Sequence, residues 1–174
     1  MTHQHLQLAV KRSAWRPAGH YESTHGDWER VRNQILARDR STCVYCGFAS
    51  EKYQEVHHLD GDHDNNIPEN FVTTCAFCHA TQHVGLCGKE GRGRLIWLPE
   101  MTQAALNHAI RWLELGPYAK PEVVSHINAP KESLLRFFEY RIKVCEQKFG
   151  SSDPSALADH LISLTDEQYE HDVQ

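Results

Sequence analysis

Residues 43–83 of the chain read CVYCGFASEKYQEVHHLDGDHDNNIPENFVTTCAFCHATQH. A Cys-x-x-Cys pair stands near each end of this stretch, Cys43 with Cys46 and Cys75 with Cys78. A turn of this spacing aims both of its sulfurs at one point, so two such turns can close a tetrahedron of thiolates around zinc. The stretch therefore predicts a structural zinc site that ties together a segment too short to build its own core. Buried cysteines without metal, or a redox dithiol, remain the alternative.

Three histidines of the same stretch are spaced to share a second metal ion. His79 and His83 are four residues apart, which places both imidazoles on one face of a helix. His57, on a strand that faces this helix, can supply a third nitrogen. Three protein ligands leave one coordination position open, which is typical of catalytic metal sites and not of structural ones.

Two more polar residues complete this pattern. Neighbouring residues of a strand point to opposite sides, so His58 does not easily share the metal of His57. An imidazole placed in this way suits a general base near neutral pH. Asn70 ends the following polar loop, and its amide can pin backbone near the two histidines, although Asn is common in loops for turn reasons alone.

The composition favours metal binding over disulfides. The chain has 174 residues, enough for one ordinary domain or for a small metal-stapled module with a helical partner. No long apolar run or signal peptide is evident, so we expect a soluble, cytoplasmic protein without membrane insertion. In such a protein paired cysteines usually bind metal. Cys87 and Cys145 are left over and are expected to be free thiols without chemistry.

Charge is unevenly distributed along the chain. Residues 1–98 hold eleven basic and eleven acidic residues, whereas residues 99–174 hold seven and twelve, so the net charge of −5 lies in the C-terminal part. The chain as a whole therefore does not attract nucleic acid, and any surface that binds it must be a local basic patch. The best candidate is an arginine cluster beside the first cysteine pair, for which a solvated helix face is an equally good interpretation. Its members are Arg30, Arg32, Arg38 and Arg40.

The hydrophobic pattern predicts a mixed α+β fold. Apolar residues recur at helical spacing from Asp27, a plausible N-cap, to about Arg38. Two strands with a polar loop between them, and then one or two helical turns, account for residues 55–83. A glycine-rich loop follows, and a boundary near Pro99 precedes three helices. The pattern predicts strands at 6–10, 55–59, 71–74 and 95–98, a loop at 85–94, and later helices from about Thr102, Lys131 and Pro154.

The ordered set of cysteines, histidines and asparagine resembles the HNH endonuclease motif, a ββα-metal fold with zinc knuckles. This resemblance implies that His58 activates the attacking water and that Asn70 orders the loop. It also implies that His57, His79 and His83 hold a divalent ion, Mg²⁺, Mn²⁺, Ni²⁺ or Zn²⁺, which stabilises the leaving oxygen of a cut phosphodiester.

A second resemblance covers nearly the whole chain. The segments on which this resemblance rests are Lys11-Arg-x-x-Trp15-Arg16, the knuckle from Arg38 to Phe48, the run from Leu95 to Asn107, and Phe149-Gly150 before Pro154. These segments are similar to the DotN/IcmJ family. Members of that family are zinc-bearing subunits of the type IVB secretion coupling complex that resemble HNH proteins and serve as scaffolds for a segment of the coupling ATPase.

Together these patterns predict a zinc-stapled, HNH-like ββα-metal core in residues 1–98 and a helical region in residues 99–174 that packs on it or binds a partner. The complete histidine set makes a metal-dependent DNA endonuclease the first hypothesis. The alternative is a DotN/IcmJ-like scaffold subunit that binds a coupling-protein segment and cleaves nothing. The two roles are compatible in one fold.

Overall fold

The computed structural model describes residues 5–10, 25–115, 121–165 and 167–169, and for residues 25–27, 115 and 121–130 only the backbone. It confirms the α+β class. The regular elements are, in chain order, α1 His25–Arg38, β1 Gln54–His58, a 3-10 turn Pro68–Asn70, β2 Phe71–Cys75, α2 Ala76–Gln82, α3 Val84–Lys89, α4 Gln103–Leu115, α5 Pro121–Phe149 and α6 Pro154–Ser163.

An antiparallel hairpin followed directly by a helix forms the centre of the cysteine and histidine stretch. β1 pairs with β2 from Gln54 opposite Cys75 to His58 opposite Phe71. β2 is buried along its whole length, which suits its β-branched and aromatic composition. Cys75 ends β2 and stands immediately before α2, so the second cysteine pair lies at the strand-to-helix junction.

Two clusters of buried apolar residues can be distinguished in the described part of the chain. The first surrounds the cysteines and includes Leu6 and Tyr45. The second joins Val10 and Val84 to Ala158 and Leu161 of α6. A segment as short as the cysteine stretch builds only a limited apolar core, and a structural metal is the common additional source of stability in short modules.

The two short outer strands predicted from sequence are wrong. Residues 5–10 and 92–98 carry no regular secondary structure, because their backbone groups bond to helix ends and turns rather than to a strand. The Ala9 amide donates to the Thr81 carbonyl at 3.1 Å, and the Leu95 amide donates to the Ser152 carbonyl at 2.8 Å. Alternation over a few residues cannot distinguish an extended segment on helices from a paired strand.

Three predicted helix boundaries also differ from the structure. α1 begins at His25, so Asp27 lies inside the helix rather than at its cap. Part of the predicted loop 85–94 is helical, as α3. α5 begins at Pro121 instead of near Lys131 and passes through Pro130, since proline keeps a helical φ and costs the helix one hydrogen bond.

The pair Asp153-Pro154 predicts a capped helix start, because proline suits the first helical position. α6 begins there, and the Asp153 side chain accepts a hydrogen bond from the Ser155 amide at 2.8 Å. Beyond α6, Thr165 and Gln168 form the reciprocal capping box that Thr-x-x-Gln predicts, with bonds of 2.9 Å and 3.3 Å. α6 then packs so closely on α3 that a Cβ at Gly88 would lie 2.2 Å from the Ser155 backbone nitrogen. Only glycine permits this approach.

Helical spacing predicts a buried apolar stripe on α5, which the structure buries only in part. The predicted residues are Leu134, Leu135, Phe138, Ile142, Cys145 and Phe149. Phe138 and Cys145 are buried as predicted, but Leu135 and Phe149 are exposed.

Within the described ranges, none of the helices combines the length and apolar character that crossing a lipid bilayer requires.

Candidate metal centres

The four paired cysteines converge on one buried point. Their sulfurs lie within 4.8 Å of one another, and the Sγ atoms of Cys46 and Cys75 are 3.7 Å apart. A zinc ion with Zn–S bonds of about 2.3 Å sets tetrahedral sulfurs about 3.8 Å apart. Cys43 and Cys78 have no solvent-exposed surface. The donor set and its spacing therefore fit the structural zinc predicted from sequence.

Local backbone geometry produces this convergence. The first turn closes when the Gly47 amide donates to the Cys43 carbonyl at 2.9 Å. Gly47 has a φ of 71°, a conformation that favours glycine. The Val44 amide then donates to the Thr73 carbonyl of β2 at 2.9 Å, which ties the first cysteine pair to the strand that delivers the second.

The four thiols cannot ionise independently. Hydrogen bonding to Cys43 lowers the pKa of Cys46 far below its ordinary value. Hydrogen bonding to Cys43 and Cys46 raises the pKa values of Cys75 and Cys78 far above theirs, because further charge beside a thiolate is unfavourable. A divalent cation removes this conflict, since all four sulfurs can then carry charge at once.

The three predicted metal-binding histidines also come together. Their candidate ligand atoms lie within 4.8 Å of one another. Ring centroids are 5.1 Å apart for His57 and His79, 5.2 Å for His57 and His83, and 4.6 Å for His79 and His83. His57 is buried in the hairpin, whereas His79 of α2 and His83 are half-buried. His83 lies just beyond α2 as its C-cap, so the expectation that one helix carries both histidines is wrong for His83. The arrangement thus has a closed side and a side nearer to solvent.

Glu55 is a member of this site to which sequence reasoning assigned no role. Its carboxylate forms an ion pair with Nδ1 of His79, and hydrogen bonding to His79 lowers the pKa of the Glu55 carboxyl. A carboxylate on one ring nitrogen orients the imidazole and leaves Nε2 for a metal. Glu55 and His57 are two apart on β1 and therefore share a face, which is the signal that could have identified it.

His58 occupies a separate environment beside α1. Its ring stacks on Trp28, with centroids 6.4 Å apart and planes at 9°, and contacts Phe71 at 4.5 Å. Nε2 of His58 lies 3.1 Å from Oδ1 of Asn66, and the His63 ring is 5.1 Å away. Partial burial and the neighbouring His58 lower the pKa of His63. Asn66 and His63 of the loop between β1 and β2 therefore contact His58, the residue predicted to be the general base.

Asn70 organises the loop between the strands. Its Nδ2 donates to Oδ1 of Asp60 at 2.9 Å and to the Asn65 carbonyl at 2.8 Å. Its Oδ1 accepts from the Asp60 amide at 3.2 Å. Hydrogen bonds from Asn65, the Asp62 amide and Asn70 lower the pKa of Asp60 to about 2. Asn70 thus holds Asp60 and Asn65 in the loop that follows His57 and His58.

Arg32 and Arg38, which were assigned to a DNA surface, bond backbone carbonyls of the protein itself. Arg32 Nη2 donates to the Gln54 carbonyl at 3.0 Å. Arg38 donates to the carbonyls of Pro68 at 2.9 Å and Phe71 at 2.7 Å. Arg38 also pairs with Asp39, whose other oxygen accepts from the Thr73 amide. Arg30 and Arg40 are exposed, so a DNA role for this cluster stays a prediction.

We expect Arg38→Met to destabilise the hairpin by about 1.5–3 kcal/mol, because two backbone carbonyls lose a charged donor. The urea midpoint of the zinc-loaded protein measures this effect. Arg40→Met, at an exposed position on the same turn, is the control and should leave the midpoint unchanged. Weaker DNA binding by Arg38→Met at an unchanged midpoint would contradict this structural role.

Helix α4 contributes two residues to the cysteine site that sequence analysis did not identify. Asn107 and Arg111 are 5% and 6% exposed. Nδ2 of Asn107 donates to the sulfur of Cys78 at 3.3 Å, and Nη2 of Arg111 donates to the sulfur of Cys75 at 2.8 Å. The two polar residues are four apart and so share one helix face. Helical spacing instead predicts a buried face of Ala105, Leu106, Ala109, Ile110 and Leu113, of which Leu113 is buried and Ala105 is exposed.

Comparison with known proteins decides the family. No family model matches the chain. The chain is 34% identical to the type 4 apparatus protein DotN of Legionella pneumophila over 164 residues, which cover 90% of this chain and 73% of that protein. The chain belongs to the DotN family. The resemblance predicted from the sequence motifs is thereby confirmed over nearly the whole chain.

Two further similarities cover less of the chain. A probable HNH endonuclease of Lactococcus phage SK1 is 33% identical over 79 residues, covering 41% of this chain and 82% of the phage protein. Zorya protein ZorE of Escherichia coli is 26% identical over 121 residues, covering 64% of this chain and 33% of ZorE. The HNH resemblance is thus confirmed for part of this DotN-family chain.

Proposed function

We propose that this DotN-family chain is a zinc-bearing scaffold subunit of a type IV secretion coupling complex and that it acts in the cytoplasm. The similarity to DotN over 90% of the chain carries this proposal, because it extends through the helices that follow the zinc stretch. The weaker similarity to a probable HNH endonuclease covers 41% of the chain. This order reverses the preference drawn from the motifs, in which the endonuclease came first.

An exposed aromatic surface on α5 supports a scaffold role. Tyr140 and Phe149 are 62% and 63% exposed, and Phe137 and Trp97 are both 37% exposed. The rings of Trp97 and Phe149 are 5.4 Å apart, so the two side chains form a continuous patch. Exposed aromatic surface of this kind marks interaction sites in proteins. The segment that it would bind in this proposal belongs to the coupling ATPase.

We expect the purified full chain to bind the coupling ATPase from the same organism, and Phe137→Ser with Tyr140→Ser to weaken this binding at least about tenfold. Isothermal titration calorimetry measures the affinity. Glu139→Ser, an exposed polar neighbour on α5, should bind as the unmodified chain does. Absence of any binding by the unmodified chain would refute the scaffold proposal, and equal binding by the double variant would exclude the part of this surface that Phe137 and Tyr140 form.

A metal-dependent DNA endonuclease is the second candidate, and the convergence of His57, His79 and His83 favours it. These three residues would hold a divalent cation, which supplies Lewis-acid stabilisation of the leaving oxygen. Glu55 would orient His79 through Nδ1, and His58 would accept a proton from the attacking water. A scaffold can keep such a site, so the two roles can coexist. Plasmid nicking with Mg²⁺, Mn²⁺, Ni²⁺ or Zn²⁺ tests this candidate.

A further inference from the structure

Arg111 lies against both cysteine turns at once. Its Nη2 donates to the sulfur of Cys75 at 2.8 Å and lies 3.7 Å from the sulfur of Cys46. Its guanidinium carbon is 4.0 Å from the ring centroid of Phe48, which follows the first turn, and 5.4 Å from that of Phe77, which lies within the second. One α4 side chain therefore contacts sulfurs and aromatic rings from both halves of the site.

His108 completes the surroundings of this guanidinium. Nε2 of His108 lies 2.8 Å from the Cys46 carbonyl, and Nδ1 lies 3.0 Å from Nη1 of Arg111. A carbonyl can only accept and a guanidinium can only donate a hydrogen bond. These contacts fit an imidazole that donates from Nε2 to the Cys46 carbonyl and accepts from Arg111 at Nδ1.

A buried guanidinium needs a negative partner. Arginine stays charged in proteins, and burying an uncompensated charge is strongly unfavourable. Phe48, Phe77 and the His108 imidazole supply no negative charge. Of the groups that contact Arg111 in the described part of the chain, the cysteine sulfurs are those that can carry one. The two sulfurs that Arg111 contacts are therefore the groups that can balance its charge, as they do when the four cysteines hold zinc as thiolates.

We propose that Arg111 is the internal counter-charge of a zinc–tetrathiolate centre and that it couples zinc loading to the docking of α4. Four thiolates around Zn²⁺ leave two excess negative charges, one of which a guanidinium neutralises. Asn107 adds a donor to Cys78, so α4 directs side-chain N–H groups at both cysteines of the second pair. The proposal depends on the zinc site and holds for a scaffold and for a nuclease alike.

The test uses the full chain loaded with zinc or with Co²⁺. Arg111→Met keeps the length of the side chain and removes its charge and donors, whereas Arg111→Lys keeps the charge. We expect Arg111→Met to lose zinc to a chelator about 10- to 100-fold more readily, and Arg111→Lys to lie between it and the unmodified chain. The sulfur-to-cobalt charge-transfer band should shift in both variants. Arg136→Met, at an exposed arginine of α5, is the control and should change neither readout.

Hydrogen exchange separates docking from general stability. In zinc-loaded Arg111→Met, α4 amides should exchange faster than in the control, while those of the cysteine turns stay protected. Unchanged zinc retention, cobalt spectrum and α4 exchange in this variant would overturn the proposal. If Arg111→Met does not fold even with excess zinc, the test uses Arg111→Lys and Asn107→Leu instead. An unchanged sulfur-to-cobalt charge-transfer band in both variants would overturn the proposal.

Discussion

Cys43→Ala is expected to abolish cooperative folding of the zinc stretch. Cys43 is fully buried among the other three sulfurs, so three ligands and a small cavity would remain. Structural zinc contributes about 10–16 kcal/mol in zinc-finger peptides, whereas a whole domain is stable by only about 5–15 kcal/mol. Even a partial loss of the zinc-binding free energy is therefore too large for the two apolar clusters described above to offset. Chelation of the unmodified protein should have the same effect.

Circular dichroism melts with bound zinc measured by atomic absorption check this prediction. Cys87→Ala is the matched control, since Cys87 is a half-buried free thiol outside the cluster. It should retain the zinc content of the unmodified chain and a cooperative melt. A cooperative, equally stable Cys43→Ala protein would mean that the cysteines are buried thiols without a structural metal.

His58→Ala is expected to lower nicking of supercoiled plasmid by about 100- to 10,000-fold if the chain is an endonuclease, the range that a general base contributes. His79→Ala should also abolish cleavage, but it should remove the divalent ion as well, because His79 belongs to the convergent triad. His58 contacts Trp28, Phe71, His63 and Asn66 instead. Its variant should therefore keep its metal content, and this difference separates the base from the ligands.

His160→Ala controls for the loss of an imidazole, because His160 is exposed on α6. It should cut as fast as the unmodified protein. Equal cleavage by His58→Ala would exclude His58 as the base. Absence of metal-stimulated nicking by the purified unmodified chain would remove the endonuclease proposal and leave the scaffold proposal untouched, since binding of the coupling ATPase requires no cleavage.

Much of the zinc stretch could be predicted because its signals are local. A Cys-x-x-Cys turn, a strand pair with a polar loop and an Asp-Pro cap each depend on residues close together in the chain. The hairpin register and the capping box follow the same local rules. The outer strands were wrong because an extended segment looks alike whether it pairs with a strand or lies along helices, as residues 5–10 do.

The sequence by itself determined the family, the α+β class and two sets of residues that converge in the structure, four cysteines and three histidines, because residue type and spacing can be read directly from the chain. Only the tertiary structure decided which groups surround those sets. Arg111 lies 36 residues from the sulfur that it contacts, and Glu55 reaches His79 across the hairpin–helix junction. Such contacts depend on how α4 and the hairpin pack in three dimensions, and neither helical spacing nor strand alternation specifies that packing.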